Sequence, residues 1–133
     1  MKVTKILSEK HQILKDRIIL TVGKVYVVSS SSFDFGGSEY EEAKLKEIPV
    51  KKKKNDKYGW WNLPAGYYVM EFNEEINVKK AILQPWSERF PASATHPARL
   101  LKGKNEKIKV ILIVSKAGIK IKKNARFSEL IEI

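Results

Sequence analysis

Leu63-Pro-Ala-Gly-Tyr-Tyr-Val-Met-Glu-Phe72 is the stretch whose reading decides the fold. Pro64 presets φ and Gly66 accepts a positive φ, so the chain bends there before it extends. From Tyr67 onward the residues are mostly aromatic or apolar, the pattern of a strand leaving a turn. Upstream, Trp60-Trp61 leads into this turn, and Lys51-Lys-Lys-Lys-Asn-Asp-Lys57 reads as a solvated hairpin tip, because four adjacent lysines repel one another. It follows a strand-like Glu47-Ile-Pro-Val50. Further upstream, Ile18-Ile-Leu-Thr-Val-Gly-Lys-Val-Tyr-Val-Val28 is β-branched with Gly23 as a bulge or turn, and Ser29–Ser32 with Gly36-Gly37 marks a loop.

Downstream, strands are expected at Ala81–Gln84 and Ile108–Val114, and then through Gly118–Ile131, where apolar residues alternate with lysine. One short helix is expected near residues 8–16, with Ser8 as its cap and Ile13 and Leu14 as a narrow apolar edge. Many short strands with Pro, Gly and Asn between them argue for an all-β barrel or sandwich. At 133 residues the chain is expected to form a single domain over 1–133.

Composition sets further bounds. No cysteine is present, so there is no disulfide framework and no thiolate metal site, and two histidines exclude a multi-histidine centre. No apolar run approaches the roughly 18 residues of a membrane span, and the charged start does not read as a secretory signal, so a soluble, cytoplasmic protein is expected. The net charge of +11, nearly all from lysine, suggests anionic partners and, with abundant isoleucine, a thermophilic source.

Specific motifs carry a resemblance. Trp60-Trp61-x-Leu63-Pro-Ala followed by Gly66-Tyr-Tyr-Val-Met-Glu-Phe-Asn-Glu74 resembles the archaeal dUTPase segment in which W-x-L-x-P-G-Y-Y leads to F-N-E. Leu20–Tyr26 with Phe33-Asp34 and Ser38-Glu39 is similar to that group's amino-terminal half, and Lys123-Asn-Ala-Arg-Phe-Ser-Glu-Leu-Ile131 to its closing K-N-A-R-I-A-Q-L-V. The resemblance to the dUTPase/dCTP deaminase superfamily runs in order from Leu20 to Ile131. It implies a β-clip, or distorted jelly-roll barrel, assembled as a homotrimer with sites between subunits. It also implies a deoxynucleoside triphosphate ligand that brings Mg²⁺ with it. In the family a P-R-S-S turn grips the phosphates and a hairpin aspartate activates water.

The departures fall on that chemistry. P-R-S-S becomes Pro85-Trp86-Ser87-Glu88, the hairpin aspartate falls on Leu101 or Lys102, the sugar-packing tyrosine falls near Lys104, and the closing glutamine is Glu129. The strand after the hairpin, Ile108–Ile113, lacks the glutamate of the deaminases' T-L-E-L. Loss of a general base typically costs about 10²–10⁴ in rate, and loss of an arginine–phosphate bond about 1.5–3 kcal/mol. The expectation is therefore a deoxynucleotide-binding relative with impaired or absent hydrolysis. No catalytic residue and no protein metal site are assigned, and nucleotide contacts are expected from Ser87, Lys102, Gly103, Lys104 and Arg126.

Two alternatives stand beside this reading. One is an active dUTP diphosphatase that uses displaced carboxylates such as Glu88, Glu106 or Asp56. The other is a basic nucleic-acid-binding protein whose face begins at Ala98, a region with ten Lys/Arg against three Glu. Only weak, non-specific nucleic-acid binding is expected, since no recognition signature accompanies the charge. Trp60-Trp61 reads as a buried or intersubunit aromatic cluster, and His96 as a structural or solvated histidine.

Overall fold

A computed structural model describes residues 1–133. Eleven strands and one helical turn follow the chain: β1 (Lys2–Thr4), α1 (Glu9–Gln12), β2 (Ile18–Val28), β3 (Leu45–Glu47), β4 (Trp60–Leu63), β5 (Gly66–Phe72), β6 (Glu75–Pro85), β7 (Ala94–Thr95), β8 (Arg99–Asn105), β9 (Lys109–Val114), β10 (Ile119–Lys122) and β11 (Arg126–Glu132). Nine strands form one antiparallel sheet in the order β1-β6-β11-β2-β5-β9-β7, with β3 added to β2 and β8 to β6. A separate two-stranded ribbon pairs β4 with β10. The all-β expectation holds, and the sheet curls into a half-barrel.

The curl has local causes. Register shifts lie between Val22 and Lys24 on β2, between Val78 and Ala81 on β6, and between Arg126 and Ser128 on β11. An extra residue on one strand bends it and increases its twist. Gly23 sits in the first of these bulges, as the sequence suggests. A Cβ there would meet the Asn73 side chain at 2.3 Å, and Asn73 uses that space to donate to Thr21 Oγ1 and Asn124 Oδ1, both at 2.9 Å.

Period-two patterning fills the interior. Ile76, Val78, Ala81 and Leu83 of β6 face Val110, Leu112 and Val114 of β9 within a cluster of 21 buried apolar residues. From the ribbon, Trp61, Leu63 and Ile121 join the same core. Full burial of side chains of this size is worth about 1.5–3 kcal/mol each, so the core, not the helix, holds the fold.

The helix is shorter than expected, one turn over Glu9–Gln12 in place of 8–16. Ser8 is its N-cap but makes no side-chain cap bond; its hydroxyl pairs with His11 Nδ1 at 2.9 Å instead. Ile13 is half exposed, because it is drawn into a tight turn that bridges it to Ile18. The buried residue of this segment is Gln12, whose Nε2 donates to Ile19 O and to Glu74. Glu47–Val50 also differs: β3 ends at Glu47, and Ile48 leaves it to donate to Val25 O. Residues 99–105, read from sequence as part of a hairpin, form a full strand along β6.

Candidate functional site

The turn that follows β6 holds a cluster of bonded polar side chains. The Pro85 end of β6 lies opposite Ser128 of β11, and Trp86 N donates to Phe127 O at 3.0 Å, so the turn is tied to β11 as it leaves the sheet. Glu129, on β11, is fully buried. Its carboxylate accepts from Arg17 Nη1 at 2.6 Å, from Gln84 Nε2, and from Ser87 Oγ at 3.3 Å. Burial acts to raise the Glu129 pKa, but the bonds from Gln84, Arg17 and Ser87 outweigh it and hold the group below the usual carboxylate value.

Arg17 is shared further. It donates from Nε and Nη2 to Asp16, both at 3.0 Å, and lies 3.9 Å from Glu88. One guanidinium thus faces the carboxylates of Asp16, Glu88 and Glu129, a local balance of +1 against −3, or −2. That field opposes an incoming phosphate. Ser87 is also committed, since its hydroxyl donates to Glu129 and accepts from Arg17 at 3.3 Å.

Trp86 occupies the position of the family's phosphate-gripping arginine and is 6% exposed. The guanidiniums of Arg89 and Arg126 lie 4.6 Å and 5.1 Å from its ring centre, cation–π distances on an aromatic body. Its indole N–H has no partner. Arg126 also donates to His11 O at 3.0 Å and borders a groove of about 370 Å³ shared with Trp60, Phe90, Lys120 and Lys122.

The other expected contacts lie elsewhere. Gly103 and Lys104 pair with Val78 and Asn77, near the opposite end of β6 from Pro85. Eight residues of strand separate Asn77 from Pro85, about 26 Å at the usual rise. Ser87 and Arg126 therefore cannot meet Lys102, Gly103 and Lys104 around one small ligand within a single chain. Gly103 adopts φ +71°, which its missing Cβ permits, and Lys104 is an exposed lysine paired with Glu106 at 3.4 Å. Of the two positions on which the hairpin aspartate would fall, Leu101 is 2% exposed in the core opposite Ala81 and Lys102 is exposed. Glu88 and Glu106 both reach solvent, and no three His, Asp or Glu side chains come together as metal ligands.

His96 is structural and not solvated. It is buried, its Nδ1 lies 2.9 Å from Pro97 O and its Nε2 2.7 Å from Ser128 Oγ. Because a carbonyl only accepts, Nδ1 carries the proton and Nε2 accepts from Ser128. Burial pushes its pKa below the usual histidine value. The Trp pair splits: Trp61 is buried and donates to Ile48 O at 2.8 Å, while Trp60 is 41% exposed.

Arg17 and Gln84 had no sequence signal, since each earns its role only by folding beside Glu129. Glu74, the last residue of the Phe-Asn-Glu motif, is fully buried and bonded by Thr21 N at 2.8 Å, Thr21 Oγ1 and Gln12 Nε2 at 2.8 Å. Burial pushes its pKa up despite these donors.

No family model matches the chain. Two curated proteins, each named a probable deoxyuridine 5'-triphosphate nucleotidohydrolase, from Methanosarcina mazei and Methanosarcina acetivorans, are 28% identical over 127 and 128 residues, covering 90% of this chain and 71% of theirs. The crystal structure of 2'-deoxycytidine 5'-triphosphate deaminase from Agrobacterium tumefaciens superposes with a TM-score of 0.67 over 97% of this chain at 12% identity. The chain spans only 42% of that protein. The curled antiparallel domain is thus a dUTPase-like β fold. The chain is similar in sequence to these two curated proteins and shares the fold of the deaminase, and it departs from the family's motifs at the turn and hairpin.

Proposed function

We propose that this chain is a dUTPase-like protein of nucleotide metabolism that binds a deoxynucleotide and does not hydrolyse it at an enzymatic rate. The observation that carries this reading is the pair of positions on which the water-activating aspartate would fall: Leu101 is an apolar side chain in the core, and Lys102 is an exposed lysine. Neither offers a base. Support also comes from the turn, where Trp86 replaces the phosphate-gripping arginine and the carboxylates of Glu88 and Glu129 oppose a polyphosphate.

A homotrimer would bring Ser87 and Arg126 of one protomer toward Lys102, Gly103 and Lys104 of another, which a single chain cannot do. Mg²⁺ would then enter on a triphosphate, held by phosphate oxygens and not by a protein cage. Pyrophosphate release assayed over a panel of deoxynucleoside triphosphates with Mg²⁺, at elevated temperature, tests the reading. Turnover at least a hundredfold below the ordinary enzyme median of about 10 s⁻¹ is expected. Turnover near that median, abolished by Glu88→Ala or Glu106→Ala, would show that hydrolysis was relocated.

A further inference from the structure

The β4/β10 ribbon has two faces of opposite character. Its register pairs Lys122 with Trp60, Ile121 with Trp61, Lys120 with Asn62 and Ile119 with Leu63. Alternation sends Trp61, Leu63 and Ile121 into the core and turns Trp60, Asn62, Lys120 and Lys122 outward. On the free side of β4, Lys51 exchanges both backbone bonds with Trp60, at 2.9 and 2.8 Å. Lys51, Trp60 and Lys122 therefore stand abreast across three chain segments, an aromatic ring between two lysines. Directly opposite residues of an antiparallel pair share a face, and the Lys122 ammonium lies 5.7 Å from the Trp60 ring centre.

This face continues on both sides. The groove of about 370 Å³ adds Arg89 and Arg126 and contains no acidic residue. A second concavity, which shares Trp60 and Lys120 with the first, adds Lys51, Lys52 and Lys53, with Asp56 its single acid. Four cations border each, and Lys120 is common to both, so seven distinct cations face one carboxylate. None of the seven is in an ion pair, a state they share with most lysines of the chain; what sets them apart is their grouping around one exposed tryptophan.

We propose that this face binds single-stranded nucleic acid, with Trp60 stacking on a base and the flanking lysines and arginines following the phosphates. Charge complementarity selects a polyanion. The spread of the cations selects a long one: Lys120 and Lys122 are about 6.8 Å apart along the strand, and the row from Lys51 to Lys122 crosses two strand spacings, about 10 Å. An exposed aromatic among the cations selects bases with open faces, which a duplex keeps stacked. Lys120, Lys122 and Arg126 come from the carboxyl-terminal region that lysine counting marks out, whereas Lys102 and Lys104 of the same region pair along β6 away from Pro85.

Anisotropy of a labelled oligothymidylate of about 16 nucleotides tests this directly. Saturable binding in the micromolar range is expected at about 50 mM salt, with a log–log salt slope no steeper than about −5 for seven contacts. Trp60→Ala should weaken binding about 5- to 140-fold, the span of one lost base stack. Trp60→Leu, which keeps an apolar body without a π-face, serves if the alanine variant melts early. Lys120→Ala with Lys122→Ala should flatten the slope by about 1.4, while Lys79→Ala with Lys80→Ala, an equal loss of charge on exposed β6 positions, should leave the slope within about 0.3 of the parent. Three results would each overturn the proposal: no saturable binding, a duplex of equal length bound as tightly and unaffected at Trp60, or equal losses from the two lysine pairs. Competition by free dTTP at the oligonucleotide's own concentration would also overturn it, in favour of a mononucleotide pocket on this face. Because pyrophosphate release is not involved, none of these outcomes depends on the nucleotide reading above.

Discussion

The turn around Ser87 and the outer face of the β4/β10 ribbon treat charge in opposite ways. At the turn, one arginine is met by three carboxylates, and Glu129 is fully buried with every bond satisfied. On the ribbon, lysines stand beside an exposed tryptophan with no ion pairs. A buried, bonded cluster spends its charges on holding strands together; an exposed, unpaired set leaves them free for a ligand. At the turn where the resemblance puts a phosphate grip, the charged groups are engaged with one another. The free positive charge lies next to it, on a surface that the motifs do not mark.

The largest expected effect tests the structural half of that contrast. Glu129→Ala leaves Arg17 and Gln84 without their shared acceptor, and removal of one partner from a buried pair costs about 3–5 kcal/mol. Asp16 still bonds Arg17, so the lower end, about 3 kcal/mol, is expected. Lys120→Ala, on the ribbon, should fall within about 0.5 kcal/mol of the parent. Urea unfolding of both variants reads the difference directly, and equal costs would erase the distinction between the two regions.

The β character, the Gly23 bulge, the solvated Lys51–Lys57 tip and the strand from Gly66 were legible in the sequence, because period-two patterning and turn residues act locally. The departures at Trp86 and Leu101 were legible too, as mismatches to a motif. What was not legible depends on register. Nothing in the order of residues places Lys104 opposite Asn77, eight positions along β6 from Pro85, or sets Lys51 beside Trp60; those facts come from which strands pair. Gln12 and Glu74 were missed for a related reason: polar residues read as surface until a partner sixty-two positions away is found in the core.

Acid should erode the turn side in two separable steps. His96 is held neutral, with its pKa below the ordinary 6.5, so the unfolded chain takes up a proton first as pH falls. Stability contributed by neutral His96 is present above about pH 6.5 and is lost as pH drops from there toward the folded-state value. Protonation of Nε2 also removes the acceptor for Ser128 Oγ, the neighbour of Glu129. Glu129 acts lower: its folded pKa lies below the ordinary 4.5, so its contribution is present above that value and is lost as pH falls through the folded pKa. Thermal melts from pH 7 to pH 3 should show a decline below about pH 6.5 and a further one below about pH 4.5. His96→Gln should flatten the first and keep the second; a variant that keeps both would remove His96 from the account.

The smallest expected effect bears on whether the turn still meets a nucleotide at all. Glu88 is largely exposed, 3.9 Å from Arg17, and contributes to the excess of negative charge beside Ser87. Glu88→Ser restores the second serine of the family turn and lowers the local balance from −2 to −1. An exposed pair of this length is worth about 0–1 kcal/mol, so the melting temperature should barely move. A phosphate approaching within about 8 Å of the lost charge, at an effective dielectric near 60, would gain about 0.7 kcal/mol, or about threefold in affinity for a deoxynucleoside triphosphate. The gain should shrink at high salt, as a screened surface interaction does. Calorimetric titration with dUTP and Mg²⁺ at low salt resolves a threefold change. An unchanged affinity would mean that the nucleotide avoids this turn, and that the Ser87 side of the comparison is structural alone.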